Sequence, residues 1–205
     1  MCNFKSMILL KDRVFCPDND DHSGMLRELG IRDAFPTPTF LKVEIRPKND
    51  DPFSPISDWE YIPDQDVSPE WYVEEVDKPR AFAALEEWAK AHIFIGIDGL
   101  VLAGDGSFYV KDCKNVEASG SATVKASGSA TVEASGSATV EAWGSATVKA
   151  WGSATVFNPA NAYFPWRNKG KIVLCDNATF KDNIEHIIYQ SGDWKLVEVK
   201  AAEAQ

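Results

Sequence analysis

The chain has 205 residues, of which 44% are hydrophobic, and it carries 21 Lys and Arg against 31 Asp and Glu, a formal net charge of −10. An acidic surface repels nucleic acid and anionic membranes, which argues against direct nucleic-acid binding and favours a partner protein with a basic surface. No apolar run approaches the roughly 20 residues of a membrane-spanning helix, and the stretch IFIGIDGLVLA is interrupted by Asp98.

The four cysteines stand at positions 2, 16, 113 and 175 and form no Cys-x-x-Cys pair. This spacing suits neither a zinc ribbon nor a disulfide framework. The amino terminus also lacks the basic, apolar and small-residue regions of a signal peptide, in that order. We therefore expect a cytoplasmic protein with free thiols, no metal centre and no cofactor.

The first hundred residues contain no repeat and hold most of the negative charge, with 11 Lys and Arg against 20 Asp and Glu. Two strands are predicted at SMILLKD and RVFCP, a short helix ended by Gly30 at HSGMLRELGI, and an edge strand at FLKVEIRP. A longer helix is predicted at DKPRAFAALEEWAKAHI, because Asp77 can cap it, Pro79 suits a first turn, and apolar residues recur on one face. IFIGIDGLVL then leads as a strand into the repeats, so residues 1–103 are predicted to form an acidic α+β domain.

Residues 116–156 consist of five nearly identical octapeptides, VEASGSAT, VKASGSAT, VEASGSAT, VEAWGSAT and VKAWGSAT, followed by Val156. Small apolar residues alternate strictly with polar ones, and this period of two indicates strands with one buried face. The three- and four-residue spacing of an amphipathic helix is missing. Glycine recurs every eight residues and supplies the backbone freedom that a corner needs.

One octad is too short to close a coil, because eight extended residues span about 27 Å at about 3.4 Å each, and a ring of that length has no interior. Two octads per coil give a flattened ring of two strands with Ala122, Val124 and Ala126 inside. Identical octads then stack in register. We predict a mainly β protein in which residues 104–199 form a short β-solenoid; an antiparallel meander is the alternative.

Imperfect copies of the octad flank the repeats. GSFYVKDC at 106–113 matches GSATVKAS at its Gly, Ser, Val and Lys, and DNATFKDN at 176–183 matches it at Ala, Thr and Lys. IIYQSGDWKLVEV predicts a hairpin around residues 191–193 that caps the last coil. Residues 200–205, KAAEAQ, are predicted to be a flexible tail.

Three segments, MCNFKSMILLKDRVF, DQDVSPEWYV and EEWAKAHIFIGIDGL, together resemble an uncharacterised family from gut bacteria and their phages. Members of that family combine such an N-terminal region with a variable number of octapeptides, so the resemblance implies this domain layout and a phage or prophage setting. The unit WGSATVKA at 143–150 is similar to the octads of bacterial ice-nucleation proteins, in which an aromatic-Gly-Ser-Thr core also alternates.

Cys2 is a candidate nucleophile, because removal of Met1 would place a thiol and an α-amine in one residue, as in N-terminal nucleophile hydrolases and transferases. The competing interpretation is a small buried thiol at the start of a strand. His92 is expected near the end of the long helix, where a cation suits the helix dipole. His186 has no evident partner.

The loop CPDNDDHSG places Asp18, Asp20 and Asp21 between Cys16 and His22. It lacks the Gly and the terminal Glu of a calcium-binding loop, so we interpret it as a solvated loop. Cys16 and His22 would form a thiolate pair only if the loop folded back.

The segment DQDVSPEWYVEE is the predicted docking surface, because aromatic side chains stand among its carboxylates and add an apolar anchor to the charge. Its candidate binding residues are Asp64, Asp66, Glu70, Trp71, Tyr72, Glu74 and Glu75. In the repeats, Trp143 and Trp151 replace Ser and are candidate contact anchors; the competing interpretation is that they pack against the insertion around residues 163–166.

We interpret the protein as a non-catalytic interaction protein whose acidic first domain engages a host protein and whose solenoid is a spacer or docking surface. In a phage setting, this suggests an inhibitor of a host nucleic-acid enzyme or defence system. The first alternative is an N-terminal cysteine hydrolase or transferase that uses Cys2. The second is an ice- or surface-binding solenoid with outward columns of Ser and Thr, although each column is expected to have only two or three members and is interrupted by charges.

Overall fold

The computed structural model describes residues 5–32, 38–158, 172–174, 178–182, 187–190 and 197–198. The chain divides into two units, Met1–Ala91 and His92–Gln205. Strands predominate, and most of them belong to the second unit. Neither helix in the described part of the chain is long and apolar enough to cross a membrane.

The first unit is built on a four-stranded antiparallel sheet with the order β2-β1-β3-β4. Its elements are β1 (Lys5–Leu10), β2 (Val14–Phe15), α1 (His22–Glu28), β3 (Phe40–Arg46), β4 (Glu60–Pro63) and α2 (Glu74–His92), with short 3-10 turns at Lys48–Asp50 and Ile56–Asp58. The two strands and the short helix predicted for residues 6–31 are confirmed. Gly30 has a φ of +68° and follows the end of α1, as expected for a glycine that ends a helix.

Both faces of this sheet are covered. On one face, Ile8 and Phe40 pack with Met25 and Leu26 of α1. Met7 and Leu9 lie on the opposite face, because neighbouring residues of a strand point to opposite sides, and both are fully buried. The prediction of FLKVEIRP as an edge strand is wrong: β3 lies between β1 and β4, and its alternation reflects two differently covered faces.

The long helix begins earlier than predicted. It starts at Glu74, so Pro79 lies inside it and not at its first position. Asp77 still caps the helix, but from within: its carboxylate accepts the backbone N–H of Val73 at 2.9 Å. The same carboxylate binds the Arg80 guanidinium, whose other nitrogen donates to the Leu10 carbonyl at 3.0 Å and ties the helix to β1.

The second unit is a β-solenoid of parallel strands, as predicted. Its strands are β5 (Ile93–Ile95), β6 (Val101–Gly104), β7 (Ser107–Lys111), β8 (Val116–Gly120), β9 (Thr123–Ser127), β10 (Thr131–Ala134), β11 (Thr139–Ala142), β12 (Thr147–Ala150), β13 (Thr155–Asn158), β14 (Ile172–Leu174), β15 (Thr179–Asp182), β16 (Ile187–Gln190) and β17 (Val197–Glu198). The even-numbered strands β6–β14 form one sheet, called the even sheet. The odd-numbered strands β5–β15, together with the last hairpin, form the other, called the odd sheet. The solenoid therefore starts at Ile93, inside the segment assigned above to the first domain.

Two octads make one coil. Val124 pairs in parallel with Val140, and Val132 with Val148, each 16 residues further along. Ala122, Val124 and Ala126 are fully buried, and the same holds for the Val and Ala positions of the later octads. The antiparallel meander is excluded, because adjacent octads belong to different sheets.

The corners form two columns of left-handed backbone. One column contains Gly104, Gly120, Gly136 and Gly152; the other contains Gly96, Asp112, Gly128 and Gly144; all have positive φ. Asp112 is the single non-glycine member, and its carboxylate accepts the N–H of Ser129 at 2.7 Å and its hydroxyl at 3.0 Å. These hydrogen bonds hold the pKa of the Asp112 carboxyl below its usual value.

The flanking copies differ in register. Val156 pairs with Phe180 and Thr155 with Thr179, so DNATFKDN stacks as its match to the octad predicts. GSFYVKDC does not: Phe108 pairs with Val124, two residues away from the predicted alignment. A shift of two preserves the alternation of faces, so Val110 still points inward and is fully buried.

The carboxyl-terminal end switches to antiparallel pairing. β15 pairs with β16, and β16 pairs with β17 through Ile188 and Val197. The predicted hairpin is thus present as strands, while its turn at 191–193 and the tail at 200–205 lie outside the described residues. Antiparallel strands end a parallel stack without presenting another matching edge.

The first prediction concerns the corners. Gly144 and Gly104 share positive φ, but a Cβ on Gly144 would lie 3.1 Å from the Gly128 nitrogen, whereas one on Gly104 meets nothing within 4 Å. Both alanine substitutions should lower the free energy of unfolding by about 1–2 kcal/mol, because alanine is strained in the left-handed conformation. Gly144→Ala should lower it by roughly a further 1–3 kcal/mol through overpacking. Urea denaturation measures both; equal losses would contradict the close approach of the coils.

The second prediction concerns the interior. Ala138 is fully buried, while its neighbour Thr139 points outward and is only half-buried. Ala138→Leu should destabilise the protein by about 1–3 kcal/mol, because the space between the sheets is filled. Thr139→Val, the matched outward change, should stay within about 0.5 kcal/mol. Similar losses in a denaturation series would show that the inward and outward assignments are wrong. Thr131 is a poorer control, because its hydroxyl accepts the Asn115 N–H at 2.9 Å.

Candidate functional site

The predicted docking segment follows β4 and runs into the first turn of α2. The side chains of Asp66, Glu70, Glu74 and Glu75 are exposed. Glu74 lies 3.9 Å from Lys78. Among the described residues, Asp66, Glu70 and Glu75 make no ion pair. Three carboxylates of the segment are therefore available to a basic partner.

The two aromatic residues of the segment hold it against the rest of the first unit. Trp71 is half-buried and donates its indole N–H to the Thr39 carbonyl at 3.2 Å. The Tyr72 hydroxyl lies 3.3 Å from that of Tyr61. Burial raises the pKa of both phenols, and their mutual hydrogen bond raises that of Tyr61 further. Trp71 and Tyr72 thus position the carboxylates, and both remain partly exposed.

Exposed apolar surface on the segment also comes from valines that sequence reasoning missed. Val67, Val73 and Val76 are 45%, 48% and 60% exposed and alternate with the carboxylates. We call this set the acidic face: Asp66, Val67, Glu70, Val73, Glu74, Glu75 and Val76. The sequence VSPEWYVEEV could have indicated that these valines are exposed, because their spacing fits neither the two-residue period of a strand nor the apolar stripe of α2.

A shallow depression of about 380 Å³ lies at the start of α2 and is lined by Glu74, Glu75, Lys78, Pro79 and Phe82. Its charged groups are the carboxylates of Glu74 and Glu75 and the ammonium group of Lys78, so the negative charge exceeds the positive charge. An arginine or lysine side chain can lay its apolar stem on Pro79 and Phe82 and bring its charge to the glutamates. The arrangement can therefore receive a basic side chain from a partner.

The acidic loop is exposed at Asp18, Asn19 and Asp21, as predicted, but two of its carboxylates also stabilise the fold. Lys5 is fully buried and donates to the Asp20 carboxylate at 2.8 Å and to the Pro17 carbonyl. Asp21 caps α1, accepting the N–H groups of Ser23 and Gly24 at 3.0 and 2.9 Å. Sequence reasoning missed the contact with Lys5, because Lys5 lies on β1, 15 residues before Asp20, and no local pattern links the two.

Asp64 and His22 belong to a cluster that sequence reasoning did not assemble. His22 and Glu44 are buried, while the Asp64 side chain is 52% exposed. His22 Nδ1 lies 3.1 Å from Asp64 Oδ2, and His22 Nε2 lies 3.2 Å from the Val43 carbonyl oxygen. One ligand atom each from His22, Glu44 and Asp64 lies within 4.8 Å of the other two. The contributing elements are 20 or more residues apart, so no spacing motif announces the cluster.

The predicted nucleophiles gain no support from the described residues. Cys2 and His186 lie outside them. Cys16 is half-buried, and burial raises the pKa of its thiol to about 11, although the Lys5 ammonium group acts in the opposite direction. His22 directs its ring nitrogens at Asp64 and Val43. His92 is the last residue of α2, as expected, and its ring stacks on Phe108 at 5.6 Å.

On the solenoid, Trp143 and Trp151 follow strands of different sheets and lie at opposite edges of the coil. Both are half-buried, and the Lys149 ammonium stands 5.2 Å from the ring centre of Trp151. The insertion proposed as their packing partner lies outside the described residues. Trp151 can still serve as a contact anchor, since its ring is partly exposed to solvent.

The outward threonines form a longer column than predicted. One column in the odd sheet stacks four threonines: Thr123, Thr139, Thr155 and Thr179. The neighbouring outward column contains Lys125 paired with Glu141. Charges therefore stand beside the hydroxyls on the same face, so the face is not a plain hydroxyl surface of the kind expected for ice binding.

Comparison with known proteins found no match to a family model, to a curated protein or to a solved structure.

The third prediction concerns Cys16. In a variant that keeps Cys16 as its single cysteine, alkylation by iodoacetamide at pH 8 should be on the order of 100-fold slower than in the same protein unfolded in urea, because the raised pKa lowers the thiolate fraction. The rate should rise steadily with pH toward pH 11. A rate in the folded protein equal to that in urea would restore Cys16 as a candidate nucleophile.

Proposed function

We propose that the protein is a non-catalytic interaction protein that binds a basic surface of a partner protein through its acidic face. The observation that carries this proposal is the close placement of free carboxylates and exposed valines on one segment. Charge steers the partner and sets the register, and the valines add apolar contact that charge alone does not provide.

The fixed position of the segment supports the same function. Trp71 and Tyr72 hold its middle through hydrogen bonds to Thr39 and Tyr61, and α2 holds its end. A surface that is ordered before binding loses less conformational entropy when the partner arrives. A flexible acidic tail would bear the charge without this advantage.

The partner and setting follow from the charge and from the family resemblance. Proteins that act on nucleic acid carry basic surfaces, and an acidic face competes for them. Together with the resemblance to phage-associated proteins, this favours an inhibitor of a host nucleic-acid enzyme or defence system in the cytoplasm. The solenoid then serves as a spacer whose length changes by whole coils.

The fourth prediction tests the acidic face. A variant with Asp66→Asn, Glu70→Gln, Glu74→Gln and Glu75→Gln should keep its melting temperature within a few degrees, since exposed charges contribute little to stability. Its association with the partner captured from a host bacterial lysate should be about 10-fold slower at low salt. Surface plasmon resonance at two salt concentrations measures the rate, and the difference should shrink at high salt.

The matched control removes four exposed charges elsewhere in the first unit: Asp12→Asn, Glu28→Gln, Asp50→Asn and Glu86→Gln. It has the same net charge and should bind nearly as fast as the unmodified protein. Deletion of residues 124–139, one coil, should leave binding intact. Equal slowing by both charge variants would reduce the effect to net charge, and loss of binding on deletion of the coil would move the surface to the solenoid.

A further inference from the structure

We propose that His22, Glu44 and Asp64 form a binding site for one divalent transition-metal ion, with zinc as the ion that fits their chemistry best. The site lies within the first unit and is separate from the acidic face. The three residues come from the first turn of α1, from β3 and from the residue that follows β4.

The orientation of the His22 ring is the strongest argument. Nε2 lies 3.2 Å from the Val43 carbonyl oxygen, an acceptor that an Nε2–H group can meet. Nδ1 faces Asp64 Oδ2 at 3.1 Å. A metal ion between these two ligand atoms would take the lone pair of Nδ1 while the proton stays on Nε2.

The carboxylates bring negative charge to the same point. One ligand atom of Glu44 lies within 4.8 Å of one from His22 and one from Asp64, and Glu44 is more than nine-tenths buried. A divalent ion at their meeting point would attract both carboxylates.

The distances suit a bound ion. Nitrogen and oxygen ligands at about 2.1 Å from one metal ion lie about 3.0–3.4 Å apart. The separation of 3.1 Å between His22 Nδ1 and Asp64 Oδ2 is in that range, and a Glu44 ligand atom lies within 4.8 Å of both residues. The backbone carbonyl on the far nitrogen of His22 is the outer partner that metal-bound histidines commonly have.

The ligand set selects the kind of ion. One imidazole and two carboxylates suit zinc or manganese, whereas magnesium and calcium favour oxygen ligands alone. The Asp64 side chain is half-exposed, so the ion has a path from solvent. Three protein ligands also leave a coordination position for water.

Binding would stabilise the first unit where it supports the acidic face. Asp64 donates its backbone N–H to the Lys42 carbonyl at 2.8 Å and begins the segment that continues to Glu75. An ion shared by Asp64, α1 and β3 would fix this starting point. Metal that binds only the folded state also raises the melting temperature.

The experiment uses the full-length protein after treatment with a chelator. Calorimetric titration with zinc chloride should give one ion per chain, and magnesium or calcium chloride should bind at least about 100-fold more weakly. Cobalt(II), which replaces zinc, should give visible absorption bands without the intense near-ultraviolet band of a thiolate ligand. Zinc should raise the melting temperature.

The variants remove ligands without changing shape. Asp64→Asn and Glu44→Gln should each weaken zinc binding by about 10-fold or more and abolish the rise in melting temperature. Three controls should bind zinc as the unmodified protein does: Cys16→Ser, the double variant Asp66→Asn with Glu70→Gln, and His92→Gln. They test binding through a thiol, through exposed carboxylates and through another histidine.

Three results would overturn the site: no zinc uptake, uptake that persists in both ligand variants, or a thiolate band in the cobalt spectrum. The first would mean that the three side chains contact one another without an ion. The cobalt spectrum is recorded on the unmodified protein, so it decides the matter even if a ligand variant fails to fold.

Discussion

Between the two sheets of the octad repeat, the narrow space admits little more than alanine and valine, and this constraint governs the repeats. A coil of two octads closes within 16 residues, and each of its two corners lies at a left-handed glycine or at Asp112. Those corners stack so closely that a Cβ on Gly144 would meet the Gly128 backbone at 3.1 Å. The strict octad is the solution to these two demands, because each position has a single environment, repeated in every coil.

The two-sheet geometry also restricts the number of octads that can be added without rearranging the rest of the solenoid. Because odd and even strands belong to different sheets, adding two octads adds one coil and leaves all later strands in place. Adding one octad would transfer every later strand, including the antiparallel cap, to the opposite sheet. The flanking coils depart from the octad: Phe108 stacks on Val124 and Phe180 on Val156, so larger side chains occupy the coils at the two ends of the octad repeat.

The first unit distributes its acidic residues between structure and surface. Asp20 neutralises the buried Lys5, Asp21 caps α1, and Asp77 caps α2 from within while holding Arg80. These carboxylates are occupied, and a charge count alone overstates what a partner would meet. The remaining carboxylates of the acidic face stand beside exposed valines and are held by half-buried aromatic residues. The proposed binding surface therefore combines carboxylates that make few contacts within the fold with exposed apolar side chains.

How much could be predicted depended on whether a residue's role was set by its own neighbours in sequence. The octads determined the parallel stacking, the 16-residue coil and the inward positions, because a repeat imposes the same local environment each time. The sequence also placed the acidic segment and both helices. However, α2 begins at Glu74, three residues before the predicted start at Asp77, and Asp77 accepts the Val73 N–H from inside the helix. Tertiary structure alone decided that β3 is internal, that GSFYVKDC is shifted by two residues, and that Trp71 and Tyr72 form hydrogen bonds with Thr39 and Tyr61. It alone brought together Lys5 with Asp20, and His22 with Glu44 and Asp64. Such pairs join residues 15 or more positions apart across strands and loops, and their meeting depends on the packing of the whole sheet, which no local pattern encodes.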